Sequence, residues 1–286
     1  MSFATPIQEG KGVMTLTMTE AIHSTAVIGP EVEIADNVTV GPFAILEGQV
    51  RIGEGCTIEG HACLSGPMTL GRNNFVGHGA VLGKPPQSKS YRGDPTTLIV
   101  GNDNIFREYV TVHRGTVEGG GVTRVGDNNL MMIGSHLGHD CQVGHGCVLV
   151  NGALAAGHVR LDNGCILSGH AAVQQRVRIG RLAMLGGLAS TTKDVPPFVL
   201  QQGYNCVSGL NLVGLRRAGM SSATISALRE TFRIIYKEGR NQSAALERVE
   251  ADLGHVPEVR EFLEFIRHAP LGINPARDST RQRRTY

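Results

Sequence analysis

Aliphatic residues recur at every sixth position through the first part of the chain. The series starts at Ile22, ends at Leu82 and contains no polar residue. Its members are Ile22, Ile28, Ile34, Val40, Leu46, Ile52, Ile58, Leu64, Leu70, Val76 and Leu82. A glycine follows many of them directly, as at Gly29, Gly41 and Gly53. A repeat near six residues is typical of β-helix solenoids, so the pattern predicts a left-handed parallel β-helix.

The repeat also predicts how the solenoid is built. Each short strand ends at a corner, three hexads complete a triangular coil of eighteen residues, and each aliphatic residue points inward. Successive coils stack at the spacing of neighbouring strands, roughly 4.8 Å. One coil cannot bury its apolar side alone, so stability comes from its neighbours along the stack. Residues eighteen positions apart therefore lie one above another.

The hexad phase is interrupted twice. Polar residues break it after the first series, but it resumes at Val100, which predicts an ejected loop at residues 84–97. After Val112 the next inward residue is Val125, which predicts a second, glycine-rich excursion at 113–124. The series then runs through Val125, Met131, Leu137, Val143, Leu149, Ala155, Leu161, Leu167, Val173, Ile179 and Leu185.

These patterns divide the chain into four parts. The solenoid is predicted at residues 18–195 and a small C-terminal α-helical domain at 196–270. The helix start and stop signals of that domain are Ser221 or Ser222 with Gly239, then Ser243, then Pro257 with an end near His268. Residues 1–17 and the basic, polar residues 271–286 are predicted to be disordered.

Composition narrows the class of protein. Trp is absent, aromatic residues make up 5% and glycine occurs 38 times, so the core must consist of small and aliphatic side chains. A formal charge of +2 gives no field that would imply a nucleic-acid partner. The N-terminus shows no basic start followed by an apolar run, and no long apolar stretch occurs. We therefore expect a cytoplasmic protein without a membrane span.

The cysteines never form a CxxC pair. In a reducing compartment we expect them to be small buried residues rather than disulfides or a metal site. They are Cys56, Cys63, Cys141, Cys147, Cys165 and Cys206.

Histidines cluster in the second half of the solenoid, where a site would form against another copy of the chain. They are His136, His139, His145 and His158. The coil length puts His139, Gly157 and Gln175 in one column, and Asp140, His158 and Arg176 in the next. An imidazole beside a carboxylate is held in one tautomer and suits a general base. A glycine one coil above can bring its N–H close to a developing oxyanion.

A metal site is the alternative interpretation of the same histidines. Trimeric β-helices of the γ-carbonic anhydrase class hold zinc with histidines from adjacent subunits, and neutral imidazole suits that metal. His136, His139 and His158 are the candidate ligands.

Two longer motifs carry a resemblance to a known family. IGSHLGHDCQVG (133–144) and NGALAAGHV (151–159) resemble the acyl-[acyl-carrier-protein]:UDP-N-acetylglucosamine O-acyltransferase family, which begins lipid A synthesis. The resemblance covers about residues 18–270, including both excursions. It implies a homotrimer with sites between subunits that transfers a 3-hydroxyacyl chain from acyl carrier protein to the 3-position of UDP-N-acetylglucosamine. It implies direct attack on the thioester, with no metal and no cofactor.

The resemblance also implies roles for single residues. His139 is the general base for the sugar hydroxyl, Asp140 orients it, and Gly157 supplies the oxyanion-stabilising amide. Gly187 matches the position that sets acyl-chain length, where glycine leaves room for a long chain. The residues expected to bind substrate are His136, His158, Gln175, Gln202, Arg216, Arg217 and Tyr91.

The chain departs from the family pattern at the first loop and in the second motif. The loop reads Gln87-Ser88-Lys89-Ser90-Tyr91, so the usual acidic residue is missing and the lysine comes one place early. Gln174 replaces a histidine before Gln175, and the segment 204–206 is one residue short. These departures leave the acceptor open between UDP-N-acetylglucosamine and its 3-amino analogue.

Arginines near the histidine cluster form a candidate docking stripe for an acidic carrier protein. Arg160 and Arg178 are one coil apart, and Arg176 and Arg181 lie nearby. Besides acyl transfer, two other functions stay open from the sequence: a γ-carbonic anhydrase-like zinc lyase and a non-catalytic trimeric homologue.

Overall fold

A computed structural model describes residues 21–238 and 241–276, and short strands dominate it. In chain order they are β1 (Val27–Ile28), β2 (Glu33–Ile34), β3 (Thr39–Val40), β4 (Ile45–Glu47), β5 (Val50–Ile52), β6 (Thr57–Ile58), β7 (Cys63–Ser65), β8 (Met68–Leu70), β9 (Phe75–Val76), β10 (Val81–Lys84), β11 (Thr97–Val100), β12 (Ile105–Phe106), β13 (Thr111–His113), β14 (Val122–Val125), β15 (Leu130–Met131), β16 (His136–Leu137), β17 (Gln142–Val143), β18 (Val148–Leu149), β19 (Leu154–Ala155), β20 (Arg160–Leu161), β21 (Ile166–Leu167), β22 (Ala172–Val173), β23 (Arg178–Ile179), β24 (Met184–Leu185), β25 (Ser190–Thr191), β26 (Val199–Gln201) and β27 (Val207–Leu210).

Every third strand joins the same sheet, which makes the predicted left-handed parallel β-helix. The first sheet stacks β1, β4, β7 and so on to β25, the second runs from β2 to β23, and the third from β3 to β26. Within each sheet the strands pair in parallel, and the usual offset is eighteen residues, as for Leu137 and Ala155. The coil length inferred from the sequence is therefore confirmed.

The interior is filled by the hexad residues and by small residues two places before them. Leu46, Leu64 and Leu149 are fully buried, and so are Ala44 and Ala62. All six cysteines are free, and four of them lie in this buried interior. Cys63 and Cys206 are only half-buried, so the expectation of burial is wrong for these two.

Both excursions leave the solenoid at the corner between the first and second sheets. The first connects β10 to β11 across residues 85–96, and the second connects β13 to β14 across 114–121. Both are slightly shorter than expected because their flanking residues extend the parallel ladders. In the next coil, Asp140 lies at the same corner, between β16 and β17. Both excursions are therefore next to Asp140.

The solenoid sheet continues further than the sequence pattern indicated. β26 pairs in parallel with β24, and β27 pairs antiparallel with β26, so strands extend to Leu210. The first helix therefore begins at Leu212, later than residue 196, where the helical domain is predicted to start. The helices are α1 (Leu212–Arg217), α2 (Ser222–Lys237), α3 (Gln242–Leu253) and α4 (Pro257–Arg267).

The helix caps agree only in part with the sequence. Ser221 caps α2 by accepting from the N–H of Thr224, and Pro257 opens α4, both as predicted. Asn241, not Ser243, caps α3, because its side chain reaches the N–H of Ala244. Gly239 lies outside the described residues.

The chain returns to the solenoid after α4. Ile273 forms a bridge to Asp194, and buried Asn274 donates to the Thr191 hydroxyl at 2.9 Å. The expectation of disorder is thus wrong for residues 271–276, while residues 1–17 and 277–286 lie outside the described residues. Among the described helices, none is both long and apolar enough to cross a membrane.

Candidate active site

His139 and Asp140 form a hydrogen-bonded pair at the corner between the first and second sheets. His139 Nδ1 lies 2.7 Å from Asp140 Oδ2. The Asp140 side chain is 1% exposed and that of His139 is 13% exposed. Because an ionised carboxylate can only accept, Nδ1 of His139 carries the proton in this pair and Nε2 is left as the base.

Asp140 is held from the side by the glycine-rich excursion, a contact that the sequence pattern did not predict. Thr116 donates its N–H to Oδ1 at 2.8 Å and its hydroxyl to Oδ2 at 2.7 Å. The backbone N–H of Asp140 donates in turn to the hydroxyl of Thr123 at 2.8 Å. The two bonds from Thr116 compensate the desolvation of the buried carboxylate, and the bond to Thr123 fixes the backbone that carries it.

Gly157 lies against the ring of His139, one coil further on. A Cβ placed on Gly157 would lie 2.7 Å from His139 Nε2 and 2.6 Å from Cε1, so any side chain here would displace the imidazole. The N–H of Gly157 makes no hydrogen bond to any described residue. A free N–H beside the basic nitrogen is the arrangement that oxyanion stabilisation requires.

His158 and Arg176 continue the corner column above Asp140. All three residues adopt positive φ angles of 62°, 61° and 67°, which place their side chains at one turn of successive coils. His158 Nε2 lies 3.6 Å from Asp140 Oδ2, and its ring packs edge-on against His139. Burial lowers the pKa of His158, and the nearby Arg176 charge lowers it further.

A cavity of about 470 Å³ opens beside His139 along the outer face of the first sheet. His136 and Gln175, two of the residues expected to bind substrate, line it, and so do Gln174 and, from the first excursion, Gln87. Gln174, which departs from the family pattern, and Gln87, from the loop that departs at Ser88 and Ser90, therefore lie within reach of the same ligand.

His136 is a neutral member of this cavity. Its Nδ1 lies 2.7 Å from the Thr111 hydroxyl, and its ring packs edge-on against His113. Burial lowers the pKa of His136 to about 4, with the neighbouring His113 and His139 acting in the same direction. His113 is not among the residues predicted from the sequence, although the six-residue repeat places it one coil before the histidine cluster, directly after the inward residue Val112.

Hydrogen bonds among its own residues and to Arg114 stabilise the first excursion. Tyr91 accepts from Arg114 Nη2 at 2.9 Å through its hydroxyl, and buried Arg114 also donates to the carbonyls of Gly66 and Gly83. Ser88 and Ser90 share a hydrogen bond of 2.8 Å. Tyr91 thus contributes to the shape of the loop and does not line the cavity.

Besides Tyr91, and besides Asp140 and His158 at the corner, four further predicted residues do not line the cavity beside His139. Gln202 follows β26 and its side chain packs near Gly186, while Arg216 and Arg217 are exposed in the last turn of α1. Gly187 is exposed, and a Cβ there would meet only the Gly169 carbonyl oxygen at 3.8 Å. His145 lies at the corner between the second and third sheets, where it contacts Asp127.

The arginine stripe lies along a second, larger groove of about 1460 Å³ on the second sheet. Arg160 pairs in register with Arg178, and both lie beside Arg176 and Arg181 in this groove. Arg178 donates to the His268 carbonyl at 2.6 Å and stacks over Phe265. Arg160 and Arg176 are exposed, and both line the groove with their charged side chains.

The metal interpretation is weakened by the positions of these donors. The ligand atoms of His139, Asp140 and His158 lie within 4.8 Å of one another, but His136 is not part of this group. Both Asp140 oxygens already accept from Thr116, and one also accepts from His139. A cation bound through Oδ2 would have to displace the bonds from the Thr116 hydroxyl and from His139.

Comparison with known proteins identifies similar chains over most of the length. A family described as Udp N-acetylglucosamine O-acyltransferase, Domain 2, matches residues 194–274, and the bacterial transferase hexapeptide (six repeats) matches residues 31–66. The acyl-[acyl-carrier-protein]--UDP-N-acetylglucosamine O-acyltransferase of Halorhodospira halophila is 43% identical over 253 residues, which are 88% of this chain and 98% of the relative. That of Thermodesulfovibrio yellowstonii is 38% identical over the same shares.

Solved structures give the same result. The UDP-N-acetylglucosamine acyltransferase of Francisella novicida superposes with a TM-score of 0.87 at 33% identity, covering 91% of this chain and 96% of that one. The enzyme of Bacteroides fragilis superposes with a TM-score of 0.84 at 36% identity, covering 88% and 98%.

Proposed function

This chain belongs to the acyl-[acyl-carrier-protein]--UDP-N-acetylglucosamine O-acyltransferase family, and from that premise we propose that it transfers a 3-hydroxyacyl chain from acyl carrier protein to UDP-N-acetylglucosamine in lipid A biosynthesis. The observation that carries the proposal is the His139–Asp140 hydrogen bond beside the free N–H of Gly157. A cytoplasmic location, expected from the sequence, stays part of the proposal.

The reaction needs one base and one oxyanion site. His139 Nε2 takes the proton of the sugar 3-hydroxyl as its oxygen attacks the thioester carbonyl carbon. The Gly157 N–H stabilises the negative charge that develops on the carbonyl oxygen. The tetrahedral intermediate then collapses, the carbon–sulfur bond breaks, and the imidazolium returns its proton to the departing thiolate. No covalent enzyme intermediate is required.

Asp140 makes this base effective without touching the substrate. Its carboxylate fixes His139 in the tautomer that leaves Nε2 unprotonated and stabilises the imidazolium when that forms. Burial lowers the pKa of His158, so this histidine stays neutral. It therefore does not form an ion pair with the Asp140 carboxylate in competition with His139. His136 likewise stays neutral, which suits a hydrogen-bond contact to a sugar hydroxyl.

The arginine stripe supports binding of the acyl carrier protein. Acidic carrier surfaces are attracted to a positively charged groove, which raises the rate of encounter. Arg160 and Arg176 lie in the groove that reaches Asp140 and His158, so a carrier docked there would have the catalytic corner within its reach. We assign Arg178 a smaller role because its guanidinium already contacts α4.

The outward faces of the solenoid support a homotrimer. The first sheet carries Ile45, Val81 and Leu154 on its outer face, and the third carries mainly apolar residues from Phe75 to Leu200. The second sheet instead carries charged and polar residues, such as Arg124 and Arg160. Two apolar faces on one prism suit packing around a threefold axis, with the second sheet facing solvent.

The outer residues of the proposed site depend on that assembly. Gln175 lies in the cavity, whereas Gln202, Arg216 and Arg217 require a neighbouring copy or a long ligand to contribute. Arginine pairs suit nucleotide phosphates because each guanidinium donates two bonds at once. Gly187 is proposed to leave space for the end of a long acyl chain.

The identity of the acceptor is part of the proposal. Two amide side chains, Gln87 and Gln174, line the cavity in which the acceptor would bind. An amide can accept from or donate to either a hydroxyl or an amino group, so it is compatible with both acceptors. UDP-N-acetylglucosamine is favoured by the names of the relatives. The 3-amino analogue is the competing acceptor and would give an amide product.

The test is acyl transfer from 3-hydroxyacyl carrier protein to each acceptor. We expect wild type to be active with UDP-N-acetylglucosamine, and His139→Ala to lose roughly 100- to 10,000-fold in kcat. His255→Ala is the matched control, because this exposed histidine lies between α3 and α4 and lines neither the cavity nor the arginine groove. Equal activity of wild type and His139→Ala would contradict the catalytic assignment. Inactivity of wild type with both acceptors would instead support a non-catalytic homologue.

A further inference from the structure

The glycine-rich excursion at residues 114–121 forms a closed cover over Asp140. Thr116 is buried and its carbonyl oxygen accepts from Gly119 and Gly121 N–H groups at 3.1 and 2.7 Å. The end of the excursion is tied to β11 by the bond from Thr97 N–H to the Gly121 carbonyl at 2.8 Å. These bonds fix the position of Thr116, the residue that donates to Asp140.

Glycine is required where the cover contacts the carboxylate. A Cβ on Gly119 would collide with the Asp140 carboxyl group, and one on Gly115 would come within 2.9 Å of Asp140 Oδ1. Gly120 and Gly121 adopt φ angles of 89° and 80°, which other residues rarely adopt. These glycines let the backbone pass directly over Asp140 and exclude water from it.

Thr116 supplies two of the hydrogen bonds that keep this buried carboxylate charged. The hydroxyl bond at 2.7 Å reaches Oδ2, the same oxygen that accepts from His139 Nδ1. The N–H bond at 2.8 Å reaches Oδ1. A buried carboxylate left without such donors would be strongly destabilised, and hydrogen bonds to a charged group contribute more than neutral ones.

Resting on the acyl transfer proposed above, we propose that Thr116 is a positioning residue, and that the glycine-rich excursion is a clamp that fixes the Asp140 carboxylate against His139 Nδ1. Thr116 touches neither the donor nor the acceptor in this assignment. It acts through Asp140, whose orientation decides which imidazole nitrogen is free to take the hydroxyl proton.

The clamp also affects how readily the pair takes up a proton. A donor to the carboxylate stabilises the unprotonated pair more than the protonated pair, because the imidazolium already compensates the carboxylate charge. Removing the donor therefore moves the acid limb of the activity profile to higher pH. Other charged or titratable groups around the pair are His158 and Arg176 at the same corner, Glu118 on the excursion, and His113 and His136 on the first sheet.

Two substitutions separate the hydroxyl from the volume of the side chain. Thr116→Val keeps the size and the backbone N–H but removes the hydroxyl, whereas Thr116→Ser keeps the hydroxyl. Gly119 N–H donates to both the hydroxyl and the carbonyl of Thr116 at 3.1 Å; Thr116→Val removes only the first of these bonds and Thr116→Ser keeps both. Thr96→Val is the matched control: Thr96 is also buried, but its hydroxyl has no hydrogen-bond partner among the described residues.

Kinetics give the first measurement. We expect Thr116→Val to lose roughly 10- to 100-fold in kcat with the KM of both substrates nearly unchanged, as is typical for residues that orient a functional imidazole. The acid limb of kcat/KM should move to higher pH. Thr116→Ser and Thr96→Val should stay close to wild type in kcat and in pH profile.

Nitrogen-15 NMR of histidine-labelled protein gives a second measurement that does not need turnover. The His139 Nδ1–H signal, assigned by its loss in His139→Gln, should be present in wild type, Thr116→Ser and Thr96→Val. In Thr116→Val it should shift or broaden. Melting temperatures of all variants show whether each one is folded.

The outcomes distinguish this proposal from the proposed function. If Thr116→Val kept the wild-type kcat, pH profile and Nδ1–H signal, the clamp would be refuted while acyl transfer stood. Equal losses in Thr116→Val and Thr116→Ser would also overturn it, since a purely structural role would follow. If wild type transferred no acyl chain, the proposed function would fail, and the NMR comparison would still decide whether Thr116 positions His139.

Discussion

Arg181 donates three hydrogen bonds to Glu261: Nε lies 3.0 and 3.1 Å from the two carboxylate oxygens, and Nη2 lies 2.7 Å from Oε2. This pair joins the last coils of the solenoid to α4, and the Arg181 guanidinium also stacks over buried Phe198. Because its guanidinium already binds Glu261, Arg181 is a weaker candidate for carrier-protein docking than the sequence indicated.

The Arg181–Glu261 pair should stabilise the docking of α4 modestly. Both side chains are about one-third exposed, so solvent screens part of the attraction. We expect Arg181→Met to lower the free energy of unfolding by about 1 kcal/mol, measured in urea at fixed protein concentration. A double-mutant cycle with Glu261→Gln isolates the pair, and a coupling energy of zero would show that the contact contributes nothing.

Arg160 is the better residue for testing carrier-protein docking. Arg160→Glu should raise the KM for acyl carrier protein roughly 10-fold or more, with a smaller difference at high salt because the attraction is screened. The matched control is Arg51→Glu, which changes the same outward position of the second sheet near the other end of the solenoid. Equal effects at both positions would indicate a general charge effect and not a docking site.

The burial of His136 predicts that stability depends on pH. Its pKa is about 4 in the folded chain and about 6.5 when unfolded, so the unfolded state binds more protons between these values. The contribution of His136 is fully present above pH 6.5 and is lost as the pH falls towards 4. We expect the urea midpoint to fall over this range, and to fall less in His136→Gln. An identical decline in that variant would assign the effect elsewhere.

Gly187 tests the proposed control of acyl-chain length. A larger side chain fits here without collision, because only the Gly169 carbonyl oxygen lies within 4 Å of a Cβ at this position. Gly187→Met should therefore leave the melting temperature nearly unchanged while shifting preference towards shorter acyl donors by at least about 10-fold, corresponding to roughly 1.4 kcal/mol. Competition between long and short acyl carrier proteins measures this. An unchanged preference would remove Gly187 from the acyl site.

Part of the candidate site followed directly from the repeat. His139 and Gly157 are eighteen residues apart, and Asp140 and His158 are likewise, so the coil length alone brings these residues together. The contact from Thr116 to Asp140 could not be predicted in this way. Thr116 lies in an excursion, where the distance along the chain no longer indicates position in space.

The sequence by itself determined the solenoid, its coil length and the columns of residues along its corners, because a regular repeat makes position in the fold a function of position in the chain. Only the tertiary structure decided where the solenoid ends, which arginines are tied to α4, and what holds Asp140. Pro196 and Pro197 interrupt the pattern, yet β26 still pairs with β24. These features depend on contacts between segments that follow no common repeat, such as Thr116 with Asp140 and Arg181 with Glu261.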